Sequence, residues 1–178
     1  MSITATQLNA ILSACEYETV DSNLASIVVR WTNGAIRDPN EAAMFIAHLI
    51  YESDGFQNQE ESDAEDQPYA PYHGRGFIQL TWEANYCAAS RELYGNDCLV
   101  QNPDLVLDDL GTSMDVSLWF WKHKVRPAAA PFTDFYQTTK VMNGVVETSS
   151  EHRIAKIRYS LYLKAAEVLG VANLASEG

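Results

Sequence analysis

The run Asp38-Pro39-Asn40-Glu41, followed by Ala42, Phe45, Ile46, Leu49 and Ile50, constrains the fold of this chain more than any other stretch. Asp38 is a helix N-cap and Pro39 suits the first helical position, where its missing N–H is not needed. Glu41 stands three residues after the cap, as a capping box requires. The apolar residues recur at helical spacing, so they form one face that must be buried. Glu52 lies three residues after Leu49 and falls on that face. An ionised carboxyl at the end of an apolar stripe is costly, and a carboxyl that resists ionisation is what a general acid needs.

The rest of the chain also reads as mainly helical. Leu8, Ile11, Leu12 and Cys15 mark an opening helix, and Leu24, Ile27 and Val28 a second. Asn85 to Tyr94 is helical and stops at Gly95. Thr112-Ser113-Met114-Asp115 resembles a capping box ahead of Val116, Leu118, Trp119 and Phe120. The density of rings at Trp119, Phe120 and Trp121 marks them as core, with one ring available to a ligand. Pro127 to Pro131 breaks the chain, and Asn143-Gly144 signals a turn. A last helix from near Ser150 turns Ile154, Ile157, Leu161, Ala165 and Val168 inward, with Arg158 on the flank, and stops at Gly170.

Composition narrows the class. The 178 residues fit one domain, 1–178. No apolar run reaches the ~20 residues of a membrane span. The start, Met1-Ser2-Ile3-Thr4, lacks the basic and apolar regions of a signal peptide. A net charge of −12 with 12 thinly spread basic residues argues against nucleic acid, whose phosphates need clustered Lys and Arg. It argues mildly against anionic cell-wall polymers, whereas a neutral polysaccharide needs no steering charge. Cys15, Cys87 and Cys98 have no metal-ligand spacing, and their odd number leaves a free thiol. Cys87 and Cys98 are close enough in sequence to bridge a loop, but reduced or buried thiols are the expectation.

The chemistry concentrates after the third helix. Gln57 to Gln67 is an acidic stretch without periodicity, expected to be a mobile surface loop with most carboxylates solvated. Tyr72 to Trp82 follows, where Gly74-Arg75-Gly76 permits a tight turn. Phe77 to Thr81 reads as a short strand, with Phe77, Gln79 and Thr81 on one face and Ile78 and Leu80 on the other. That spacing turns Gln79 and Thr81 to a cleft. A phosphate loop is excluded, since neither Gly-Lys-Ser/Thr nor a third glycine is present. Glu52 and Glu61 then supply two carboxyls of the kind that cleave a glycosidic bond, one protonating the leaving oxygen and one activating water.

In order, Phe45-Ile46-Ala47, Tyr51-Glu52-Ser53-Asp54-Gly55-Phe56, Gly74 to Trp82, Asn85-Tyr86, Asn102-Pro103-Asp104-Leu105-Val106, Leu118 to Trp121 and Met142-Asn143-Gly144 resemble the family 19 glycoside hydrolases, plant-type chitinases and related endolysins. The resemblance runs from about Ala42 to Val171. It implies a lysozyme-like, two-lobed helical fold with a short β element beside a central cleft. It implies endo-acting, inverting hydrolysis of β-1,4-linked N-acetylglucosamine polymers, chitin or a related polysaccharide, with no metal or organic cofactor. A monomer is expected; the sequence leaves the compartment unknown, with a site of action outside the cell or at a wall as the expectation. Carried over residue by residue, it makes Glu52 the acid and Glu61 the base, with Glu60 adjacent as the other choice. Thr81 would hold the attacking water, and Gln79, Asn85, Tyr86 and Asn143 would contact sugar. Arg158 would pair with the base loop. Tyr51 stands where the family has histidine, Asp54 and Val145 stand for glycines, and Ala84 stands for a tyrosine. The alternatives are a peptidoglycan muramidase or endolysin on the same fold, and a glycan-binding protein without turnover.

Overall fold

A computed structural model describes residues 2–143 and 148–178, with Ser149 and Ser150 described by backbone alone. Helices α1 (Ala5–Ala14), α2 (Ser22–Ala35) and α3 (Pro39–Glu52) come first. They are followed by α4 (Glu83–Tyr94), α5 (Cys98–Gln101), α6 (Leu105–Asp108) and α7 (Leu110–Phe120). A π-helical turn, Trp121–Val125, leads into α8 (Arg126–Ala129), then α9 (Phe135–Asn143) and α10 (Ser149–Leu169).

α3 is the axis of the molecule. Asp38 caps it, accepting from the Glu41 amide at 2.8 Å. The expected capping box is not completed, because the Glu41 carboxylate turns inward to accept from Trp121 Nε1 and Arg126 Nε at 3.0 and 2.7 Å. Burial exceeds one face: Ala43, Met44, Ala47 and His48 are as buried as Phe45 and Leu49. A helix walled on all sides cannot move its last turn independently, which fixes where Glu52 emerges.

α10 packs along α3 more extensively than any other helix pair among the described residues. Its buried face is Arg158, Leu161, Tyr162, Ala165, Ala166 and Leu169. This corrects the sequence reading, since Ile157 is exposed and Arg158 points inward at 1% exposure. Thr148 caps α10 in a complete capping box with Glu151, and Gly170 ends it at φ 69°. The start of α7 is also corrected: its cap is Asp109, accepting from Thr112 N at 2.7 Å, three residues before the expected box. Pro127 sits within the first turn of α8, where proline is tolerated, so the chain leaves the helical path only after Ala129.

The expected strand is instead a turn. Arg75 and Leu80 bridge each other, and Glu60 bridges Arg75, with no longer ladder among the described residues. These bridges are the whole β element beside the cleft. Gln79 has φ 57°, so alternation fails inside the turn, and Phe77, Ile78 and Leu80 are all buried. The acidic segment before it is tied to it: Glu61 N donates to Gly74 O at 2.9 Å and Gly76 N to Gln59 O at 2.7 Å. The three cysteines are free thiols, and burial pushes the Cys15 thiol up to about 11. No helix among the described residues is long and apolar enough to cross a membrane.

Candidate active site

A cavity of about 610 Å³ opens between the 74–85 turn region and the body formed by α3, α7 and α9. Glu52, Glu61, Gln79, Thr81, Asn85 and Asn143 all line it. These are six of the residues the sequence placed at a cleft. Gly144 and Val145 lie outside the described residues.

Glu52 ends α3 and is held from α10. Arg158 Nη2 donates to Glu52 Oε1 and, at 2.7 Å, to Asn143 Oδ1. The Glu52 side chain is 17% exposed, so it meets a cation at the cleft edge rather than an apolar pocket. Arg158 itself rests on the Tyr51 ring, with its guanidinium carbon 4.0 Å from the ring centre. Behind it, Arg158 Nη1 donates to His48 Nδ1 at 3.1 Å. His48 Nε2 therefore carries the proton and donates to Thr138 Oγ1 at 2.7 Å, and Thr138 donates to Phe135 O. Burial, and then the nearby Arg158 charge, hold His48 well below the ordinary histidine value. A neutral imidazole is the acceptor this arginine requires. Arg158 thus pairs with the expected acid, not with the base loop as the resemblance implied.

Glu61 is held from the turn. Its Oε1 accepts from Tyr69 OH at 2.6 Å and its Oε2 from Gly74 N at 2.9 Å. Glu60 faces away, pairing with His73 Nε2 at 3.0 Å, and does not line the cavity. Of the two adjacent glutamates, geometry brings Glu61 to the site.

The turn that carries these contacts is assembled around Arg75, which is 4% exposed. Arg75 Nε donates to Asp104 Oδ1 at 2.9 Å, and Nη1 to Pro71 O at 2.9 Å and Tyr86 OH at 3.1 Å. Ser113 Oγ accepts from Phe77 N at 2.9 Å. The Asn102 to Val106 segment therefore serves the cleft from behind, through Asp104 on Arg75 and Val106 against Gly76. Gln79 Nε2 closes the turn on Gly76 O at 2.9 Å. Thr81 Oγ1 donates to Gln79 O at 2.8 Å, and Asn85 Nδ2 to Thr81 O at 2.8 Å. With its proton committed, the Thr81 oxygen is left to accept.

Tyr86 is a correction. It is fully buried, its hydroxyl donates to His73 O at 2.7 Å, and it does not line the cavity. It supports the turn from behind the cavity wall. Sequence reasoning missed Tyr69, Trp82, Val141 and Met142 as cavity residues, and Phe120 proves to be the ring of its cluster that lines the cleft. A tryptophan directly after Thr81 was the available signal for Trp82. Nothing local pointed to Tyr69, whose contact with Glu61 depends on the course of the loop. Among the described residues, no group of three or more His, Cys, Asp or Glu is placed to hold a metal ion.

The model of the family described as chitinase class I matches residues 40–134. An acidic endochitinase from Beta vulgaris is 32% identical over 167 residues, covering 84% of this chain and 57% of its own length. The chain thus spans little more than half of that relative. The fold matches a bacterial family 19 chitinase with a TM-score of 0.77 at 24% identity, over 99% of this chain and 98% of that one. It matches a class IV chitinase from Zea mays with a TM-score of 0.71 at 24% identity, over 93% and 92%.

Proposed function

Because the chain belongs to the class I chitinase family of glycoside hydrolases, we propose that it hydrolyses β-1,4-linked N-acetylglucosamine polymers, chitin above all, from within the chain and with inversion. The observation that carries this reading is one cavity lined by two carboxylates in different settings, Glu52 against a buried arginine and Glu61 under a tyrosine hydroxyl and a backbone amide. Two carboxyls lining one cavity are the pair that an inverting displacement uses, one as acid and one as base.

In this reading Glu52 gives its proton to the glycosidic oxygen as the bond to the anomeric carbon breaks. The carboxylate left behind is stabilised by Arg158, a charge interaction that strengthens as the proton departs. Water attacks the anomeric carbon from the other face. One of its protons goes to Glu61, and the other is held by the accepting oxygen of Thr81, which leaves a lone pair for the attack. Asn143 is held by Arg158 in the same cavity, and with Gln79 and Asn85 supplies amide groups to hydroxyl and acetamido substituents. The whole chain, 1–178, acts as the catalytic unit: α1 and α10, outside the family match, pack on each other, and α10 packs on α3.

The test is hydrolysis of N-acetylglucosamine hexamer, with the anomeric form of early products read by rapid chromatography. The α-anomer should appear first, and Glu52→Gln should lose turnover by at least about 100-fold while still binding the hexamer. A β-anomer would overturn inversion. Full activity in Glu52→Gln would overturn the acid assignment. Clearing of bacterial walls without hexamer cleavage would shift the substrate to peptidoglycan.

A further inference from the structure

One ring in the cleft has no part in the displacement just described. Trp82 is 56% exposed, and it lines the same cavity as Glu61. An exposed apolar residue alone means little. The backbone of Trp82, however, sits at φ 77° and ψ 135°, a strained conformation for a bulky side chain. Hydrogen bonds hold it there from both sides. Trp82 N donates to Tyr72 O at 2.9 Å, and Trp82 O accepts from the amides of Asn85 and Tyr86 at 3.0 and 3.1 Å. The other exposed large apolar side chains among the described residues, Ile157 and Leu174, do not line this cavity.

The ring is also backed. Tyr69 packs against it with ring centres 4.8 Å apart and planes inclined at 57°. The hydroxyl of that same Tyr69 donates to Glu61 Oε1 at 2.6 Å, and this bond pushes the phenol up to about 12, so it stays a donor. A strained, exposed indole therefore touches a ring that touches the second carboxylate. The C–H face of a pyranose is the part of a sugar that matches an aromatic face, and the indole leaves its remaining edges to water.

We propose that Trp82, backed by Tyr69, is a stacking platform for one N-acetylhexosamine ring of the polysaccharide, and that Tyr69 ties this platform to the position of Glu61. The platform rests on the substrate class proposed above. It assigns Trp82 to sugar binding and makes Tyr69 a positioning residue, acting through Glu61. A sugar seated on Trp82 loads the Tyr69 ring, and the hydroxyl carries that constraint to the base.

The experiment measures hexamer affinity by calorimetry in the Glu52→Gln background, where no turnover intervenes. Adding Trp82→Ala should weaken binding about tenfold, and Trp82→Phe should restore most of it. Trp82 is exposed, so both variants should melt close to the parent. In the active protein, Tyr69→Phe keeps the ring and removes the hydroxyl; it should lower kcat about tenfold or more with KM nearly unchanged, a split that a merely structural role would not give. Parent binding with an unaltered Kd in Trp82→Ala would overturn the platform. An unchanged kcat in Tyr69→Phe would overturn the tie to Glu61. If the unmodified protein neither binds nor cleaves the hexamer, the chitin reading fails and takes the platform with it, an outcome distinct from the other two.

Discussion

Arg158 is the residue on which the site turns. Four groups meet it: Glu52 and Asn143 at the cleft, His48 behind, and the Tyr51 ring beneath. Tyr51 is a departure from the family pattern, and the structure gives it work as the surface on which the guanidinium lies. A planar fork is needed to serve a carboxylate, an amide oxygen and an imidazole together, and lysine offers a point charge on a flexible stem instead. Arg158→Lys should therefore keep the local charge but release Glu52 from a fixed position. We expect kcat on the hexamer to fall on the order of 10- to 100-fold, with a smaller change in KM, because misplacing a reacting group by about 1 Å costs that much. Initial rates across a substrate series check it, alongside a melting curve to verify folding. A kcat equal to the parent's would show that the orientation of Glu52 does not depend on the fork. The sequence placed Arg158 one step off the buried face, since apolar spacing alone counts an arginine as a boundary. The carboxylate that makes its burial tolerable comes from another helix.

At the scale of elements, legibility followed locality. α3 was readable because cap, proline and apolar period all lie within it and agree. The segment from Gly74 to Leu80 was not, because its alternating polar and apolar residues fit a strand or a turn equally. Distant partners decide between them: Asp104 on Arg75 and Ser113 on the Phe77 amide. Six cleft residues could still be named, because the resemblance places residues and not conformations. Tyr86 shows the limit of that carry-over, since a ring one position beyond Asn85 points into the core. Gly76 tests the turn directly. It sits at φ 76°, and a Cβ there would lie 2.9 Å from both Ser113 Oγ and Val106 Cγ1. Gly76→Ala meets both the backbone penalty and a clash with packed neighbours. It should destabilise the protein by about 1–3 kcal/mol, lowering Tm by about 2–4 °C for each kcal/mol at this size. Activity should fall further than stability requires, because Glu61 and Gln79 both hang from this turn. A melting curve superimposable on the parent's would mean that the turn yields without cost.

For the whole molecule, stability and site alignment meet in one buried side chain. His48 lies inside the body, fully buried, with its ring stacked on Phe135 at 5.0 Å and tilted against Trp121 at 5.9 Å. The charged group that faces it is Arg158, and Glu52 is reached only through that arginine. Its folded value lies well below 6.5, held down by burial and by Arg158. In the unfolded chain it should titrate near ~6.5. Below that pH the unfolded chain binds a proton that the folded one refuses, so stability is complete above about 6.5 and is lost as pH falls towards the folded value. One such group contributes a slope of about 1.4 kcal/mol per pH unit across that window. Acid unfolding draws on more groups than this one, so the useful quantity is a difference. His48→Gln offers an amide oxygen to Arg158 and an amide N–H to Thr138, yet cannot take up a proton. Urea midpoints at pH 7.5, 6.5 and 5.5 should fall in the parent, and the gap between parent and variant should close or reverse as pH drops. Parallel slopes would show that folded His48 accepts its proton without penalty. That result would conflict with the direction of the Arg158 bond, since a protonated imidazole has no lone pair left to receive it. The same proton that unfolds the body would push Arg158 away from His48 and disturb its hold on Glu52. Loss of turnover on the acid side should therefore accompany loss of stability in the parent and separate from it in His48→Gln.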